Sequence, residues 1–121
     1  MSREFYLFLH LTGIMILFFG LAALLVLGLT GQFQNKRARL LGFVSHGIGL
    51  FLMIFSGFGL AAKLGLLANL PGWLYVKIGV WVLLGASVSL LRRKPQLAVM
   101  SYALIILLGA TAAYMGLFKP F

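Results

Sequence analysis

Four long apolar runs, at about 5–29, 40–62, 72–91 and 97–118, alternate with short stretches where charges and turn residues collect. Each run is close to the roughly 20 residues that a helix needs to cross about 30 Å of hydrocarbon. Pro71, Pro95 and Pro120 fall outside or at the edges of these runs, where a residue lacking an amide donor interrupts nothing. The pattern predicts an all-α fold: a single integral membrane domain over residues 1–121, built as a bundle of four transmembrane helices. The first run is too long for a cleaved secretory signal, has no clear small-residue cleavage site and starts with Arg3 against Glu4. It reads as a retained helix.

Composition agrees with the pattern. The chain is 63% hydrophobic and only 9% charged, whereas soluble domains average about 25% charged residues. So few charges cannot cover a globular surface, and the surface is expected to face lipid. The net charge is +9, with ten Lys and Arg against one acid. Because the cations sit between apolar runs, they point to anionic lipid at the loops or to an anionic ligand, and not to nucleic acid. There are no cysteines, which excludes thiol relays, disulfide exchange and thiolate metal sites. The single acid, Glu4, lies at the start of the first run, so a transporter built on an intramembrane carboxylate lacks its central group.

The loops set an expected orientation. Lys36, Arg37 and Arg39 sit in the first, and Arg92, Arg93 and Lys94 in the third, against Arg3, Lys63 and Lys119 on the other side. Six cations against three place the first side in the cytoplasm and both termini outside, N-out and C-out. The expected location is a bacterial inner (plasma) membrane, spanned in several passes. The asymmetry argues against the antiparallel dual-topology dimers that small fluoride channels form.

Helical periodicity groups the side chains that could carry chemistry. Tyr6, His10, Gly13, Gly20, Leu24 and Gly28 share a stripe on the first helix, and Gly42, His46, Gly49, Met53, Ser56 and Gly57 on the second. Trp73, Lys77, Trp81, Leu84 and Val88 share a face of the third; Ala103, Leu107, Ala110, Thr111 and Tyr114 share one on the fourth. At 1.5 Å per residue, His10 lies about 10 Å outside the midplane, Lys77 about 7 Å outside and His46 about 8 Å inside. The histidines are then about 18 Å apart along the normal and cannot share one ion. Tyr6, His10, Trp73, Lys77, Thr111 and Tyr114 are expected to converge in the outer half. His46, Ser45, Ser87, Ser101 and Tyr102 form a weaker group toward the cytoplasm.

An imidazole and an ammonium inside a membrane bundle suit a flat anionic ligand. His10 can ligate haem iron through one ring nitrogen, Lys77 can meet a propionate, and Trp73, Tyr6 and Tyr114 can stack on the ring. The cofactor reading is therefore haem b or a porphyrin, with His10 as the metal ligand. Structural alternatives exist for each residue. Both histidines can act as hydrogen-bonding glue between helices, Lys77 can extend outward along Trp73 as an anchor, and the aromatic residues can form an interfacial belt.

Tyr6-Leu7-Phe8-Leu9-His10-Leu11, Arg37-Ala38-Arg39-Leu40-Leu41 and Pro71-Gly72-Trp73-Leu74-Tyr75-Val76-Lys77 together resemble a group of small bacterial membrane proteins. The group includes the SirB-like family and the HemJ-type protoporphyrinogen oxidases, with the copper-resistance D-type proteins further off. HemJ-like proteins carry a first-helix His and a Trp-Leu-His-x-Lys motif on the third helix. The resemblance implies haem or porphyrin binding, with His10 and Lys77 at the matching positions and Tyr75 where the motif has His. Two functions follow as expectations: a pigment-binding, redox-active inner-membrane protein, or a non-catalytic assembly subunit of a larger membrane complex. A parallel homodimer would set two His10 side chains at equal depth.

Overall fold

The computed structural model describes residues 2–120. Within them the chain forms α1 (Arg3–Leu29), α2 (Lys36–Lys63), α3 (Gly72–Arg93) and α4 (Ala98–Phe118), with a short 3-10 turn, Pro95–Leu97, ahead of α4. All four helices are long and apolar enough to cross a membrane. Large apolar side chains face outward all round the bundle, among them Phe19, Phe51, Leu83 and Leu107. A soluble monomer rarely exposes contiguous apolar surface beyond a few hundred Å².

Local chemistry explains the boundaries. Ser2 caps α1 by accepting from the Phe5 amide at 3.2 Å, and Asn35 caps α2 by accepting from the Ala38 amide at 3.2 Å. The Asn35 cap draws Lys36 to Arg39 into the first turn of α2, so that helix begins four residues before its apolar run. Hydropathy alone cannot show this, since a cap acts on backbone amides regardless of the side chains that follow. At their C-terminal ends, α1 and α2 turn through glycines with positive φ, Gly31 at 69° and Gly65 at 74°. The amides that follow fold back, Gln32 onto Leu27 and Leu66 onto Ala61, both at 2.9 Å, which satisfies carbonyls that the helices leave over. Pro95 ends α3, because the residue before a proline is pushed out of the helical region, and Lys94 is extended at φ −132° and ψ 71°.

The helices run alternately up and down. The α1 and α2 backbones pack most closely, α3 pairs with α4, and the two hairpins meet less tightly. Glycine explains the first contact. A Cβ at Gly49 would lie 2.5 Å from the Leu17 amide nitrogen, and one at Gly20 would lie 2.7 Å from the Gly42 carbonyl oxygen. Small residues are what allow backbones to approach this closely in lipid, where no hydrophobic drive pushes helices together.

The core sits toward the end that carries the basic loops. Leu17, Leu21 and Leu24 of α1 pack with Leu84 and Leu91 of α3 and with Ala98 and Ile105 of α4. Gly28 brings α1 against the 3-10 turn, 3.2 Å from the Pro95 carbonyl measured from an ideal Cβ. Polar groups tie α2 to α3 higher up. The Trp81 indole donates to the Leu50 carbonyl at 3.0 Å, and the His46 ring donates to the Leu84 carbonyl at 3.0 Å. Trp81→Phe removes the first of these bonds and keeps most of the ring. It is expected to lower stability by about 0.6–1.7 kcal/mol, the range measured for hydrogen bonds between membrane helices, in a denaturant titration of the micelle-bound protein.

The inner face of α4 differs from the expected one. Ala98, Ser101 and Ile105 are its buried residues, whereas Ala103, Leu107, Ala110, Thr111 and Tyr114 all face outward. The helix is apolar on every side, so its few hydroxyls were the only directional cue. The Thr111 hydroxyl donates to its own helix, to the Leu107 carbonyl at 2.8 Å. A hydroxyl satisfied in that way needs no place in the interior.

Candidate functional site

Where the hairpins diverge, at the end holding both termini, they enclose a cavity of about 430 Å³. Its walls are mainly apolar, with Leu7, Leu11 and Phe18 from α1, Ile78 and Val80 from α3, and Leu84 toward the core. Its polar lining comes from His10, Trp73 and Lys77, joined by Arg3 and Lys119. No carboxylate lines it among the described residues. The cavity is therefore apolar with a cationic margin, of a size within the roughly 300–1,000 Å³ usual for ligand sites.

Each polar residue is held differently. His10 lies on α1 with its Nδ1 3.0 Å from the Ser56 hydroxyl of α2. An ideal Cβ at Gly57 would sit 3.8 Å from the His10 ring, an ordinary van der Waals contact, so the imidazole packs over that position of α2. Lys77 extends from α3 toward α4, where its Nζ would be 3.0 Å from a Cβ at Gly116. No acid partners Lys77 among the described residues, since the one acid of the chain, Glu4, is exposed and does not line the cavity. Lys119 Nζ lies 5.5 Å from the centre of the Trp73 ring, within the range of a cation–π attraction. That contact joins the residue that follows α4 to the first turn of α3 at the margin of the cavity.

The expected convergence of six residues holds for His10, Trp73 and Lys77 and not for the other three. Tyr6 leans the other way. Its ring lies against Gly59, in contact with the position a Cβ would take, and 6.1 Å from the ring of Phe55. There it lines a separate, shallow aromatic groove with Phe51 and Phe58. Gly59 makes that seat, and a helical wheel of α1 alone does not reveal it. Tyr114 is on the outward face of α4 with its ring 4.8 Å from Phe118, and Thr111 is outward as described above. Neither tyrosine is placed to stack on a ring held beside His10.

His46 belongs to a different level, as the depth arithmetic expected. It does not line the cavity. Ser56, the partner of His10, and His46 are ten residues apart on α2, or about 15 Å at helical rise. His46 is buried and shares the Leu84 carbonyl with Ser87, whose hydroxyl donates at 2.6 Å. It serves as glue between α2 and α3. Of its expected companions, Ser101 is buried with a hydroxyl that has no partner among the described residues, and Tyr102 is exposed.

Sequence reading did not connect Ser56 to His10. The signal was present in the same arithmetic: Ser56 is nearly three turns farther along α2 than His46, which returns it to the level of His10. Met53, one turn before Ser56, also lines the cavity.

The donor set decides what kind of metal chemistry fits. No group of three or more His, Cys, Asp or Glu side chains that could hold a bare ion occurs among the described residues. A single imidazole fits a metal that arrives with its other ligands already in place, as iron does in a porphyrin, where the protein supplies an axial ligand. No family model, curated protein or solved structure matches the chain.

Proposed function

We propose that the chain is a multi-pass protein of a bacterial inner membrane that holds haem or a related porphyrin in the cavity between its hairpins. The supporting observation is the placement of one imidazole, one indole and the ammonium of Lys77, which has no acid partner among the described residues, around a mainly apolar volume. In this reading His10 would hold the iron through a ring nitrogen. Lys77, with Arg3 and Lys119 near the margin, would pair with the pigment's carboxylates, and Trp73 would offer an aromatic surface to it. The apolar walls exclude water from the macrocycle. Bound haem supplies reversible one-electron chemistry at iron, and the residues of the chain hold and orient it. With the basic loops toward the cytoplasm and its anionic lipids, as the positive-inside rule favours, the cavity would lie in the outer half of the bilayer. The likeness of the first and third helices to SirB-like and HemJ-type proteins points the same way.

Expression with haem supplied, followed by purification in detergent, tests this reading. A Soret band at one pigment per chain is expected. A colourless protein of native mass would sink it.

A second reading, a non-catalytic subunit of a larger membrane complex, is favoured by Gly47 and Gly79. Both face outward, and a Cβ at either would meet nothing within 4 Å. Such bare backbone on the bundle surface is what a neighbouring membrane helix can approach.

A further inference from the structure

The two histidines hold opposite tautomers, and the difference bears on the cavity. His46 Nε2 bonds a carbonyl, that of Leu84. A carbonyl only accepts, so the proton of His46 is on Nε2. His10 meets a hydroxyl, which can give or take. Ser56, however, has a single hydroxyl hydrogen, and its oxygen lies 2.6 Å from the Leu52 carbonyl and 3.2 Å from the Met53 carbonyl. Both neighbours only accept, so the hydrogen is committed to them and the oxygen is left to accept. His10 Nδ1, 3.0 Å away, is then the donor. The proton of a neutral His10 is on Nδ1, which leaves the lone pair on Nε2.

We propose that Ser56 is a positioning residue that fixes His10 as the Nδ1–H tautomer, so that the Nε2 lone pair is presented to the cavity as an electron-pair donor. Ser56 has 0% exposure, so it cannot touch a ligand and acts only through the imidazole. The same burial removes it as a nucleophile, despite its contact with a histidine. The carbonyls of Leu52 and Met53 belong to α2 itself, so the helix that carries Ser56 also commits its hydrogen. The arrangement is the familiar one in which the second nitrogen of a ligating histidine is held by an outer partner that sets tautomer and ring angle. What the lone pair meets rests on the pigment reading. The tautomer is a property of the protein alone.

The test is nitrogen NMR of histidine-labelled protein in detergent micelles at neutral pH with no pigment added. The wild type is expected to show one Nδ1–H and one Nε2–H histidine, and His46→Ala assigns the remaining signal to His10. Ser56→Ala is expected to move the His10 tautomer ratio at least tenfold toward Nε2–H, the form that an unrestrained ring prefers in water. An Nε2–H His10 in the wild type overturns the proposal, as does an Nδ1–H His10 that persists in Ser56→Ala. Should Ser56→Ala fail to fold, the wild-type spectrum still decides. Failure of the pigment reading looks different: no Soret band, with the wild-type tautomers as described.

Discussion

Gly49→Ala separates α1 from α2, and Gly47→Ala, two residues away on the same helix, does not. A methyl at Gly49 would lie 2.5 Å from the Leu17 nitrogen and 2.7 Å from its Cα. These are backbone atoms, so no rotamer change relieves the clash, and one helix must move. Overpacking of this kind costs about 1–3 kcal/mol, occasionally more, which is roughly fivefold to over a hundredfold in the folding equilibrium. A methyl at Gly47 meets nothing within 4 Å. There the change removes only the backbone freedom of glycine and is expected to stabilise by about 0.5–1 kcal/mol. Denaturation followed by tryptophan fluorescence measures both, because Trp81 is bonded to Leu50 of α2. The displacement also reaches the site, since α2 carries Ser56 seven residues, about two turns, beyond Gly49. Equal stability of the two variants would contradict the close α1–α2 contact.

Lys77→Met makes the protein more stable and weakens its hold on an anionic pigment. An ammonium within a membrane span costs up to about 2.5–3.5 kcal/mol on insertion scales, less whatever it recovers by reaching the margin. Methionine keeps the length of the side chain and removes that cost. Binding moves the other way. A hydrogen bond to a charged group is worth about 1.5–3 kcal/mol, so losing the propionate partner is expected to raise Kd by about tenfold to a hundredfold. Opposite signs in stability and affinity are what a residue retained for binding produces. A lysine serving only as an interfacial anchor would leave affinity unchanged. Denaturation of the pigment-free protein and a pigment titration, run on the same variant, read the two effects.

Much of this was legible in the chain because the bilayer simplifies it. Run length and proline placement predict four helices, since a spanning segment must satisfy its own backbone. Depth arithmetic puts His10 beside Lys77 and sends His46 elsewhere, because helical rise is fixed. The face of α4 was not legible, since an apolar helix in an apolar solvent carries little rotational signal, and Thr111 and Tyr114 offered a false one. Tyr6 was misplaced because its seat is made by Gly59 of another helix. The start of α2 was missed because Asn35 acts through the backbone. Ser56 was within reach of the arithmetic that placed the histidines, but serines in membrane helices usually bond only their own helix, and nothing in its immediate neighbours marks it as the partner of His10.

The measurement that bears most directly on the cavity is a haem titration of purified, pigment-free protein, comparing wild type with His10→Ala and His46→Ala. Wild type and His46→Ala are expected to saturate at one haem per chain with the same Soret band, and His10→Ala to lose that band or to bind at least tenfold more weakly. Haem bound equally well without His10, or by none of the three, would contradict the assignment of this cavity as a pigment site.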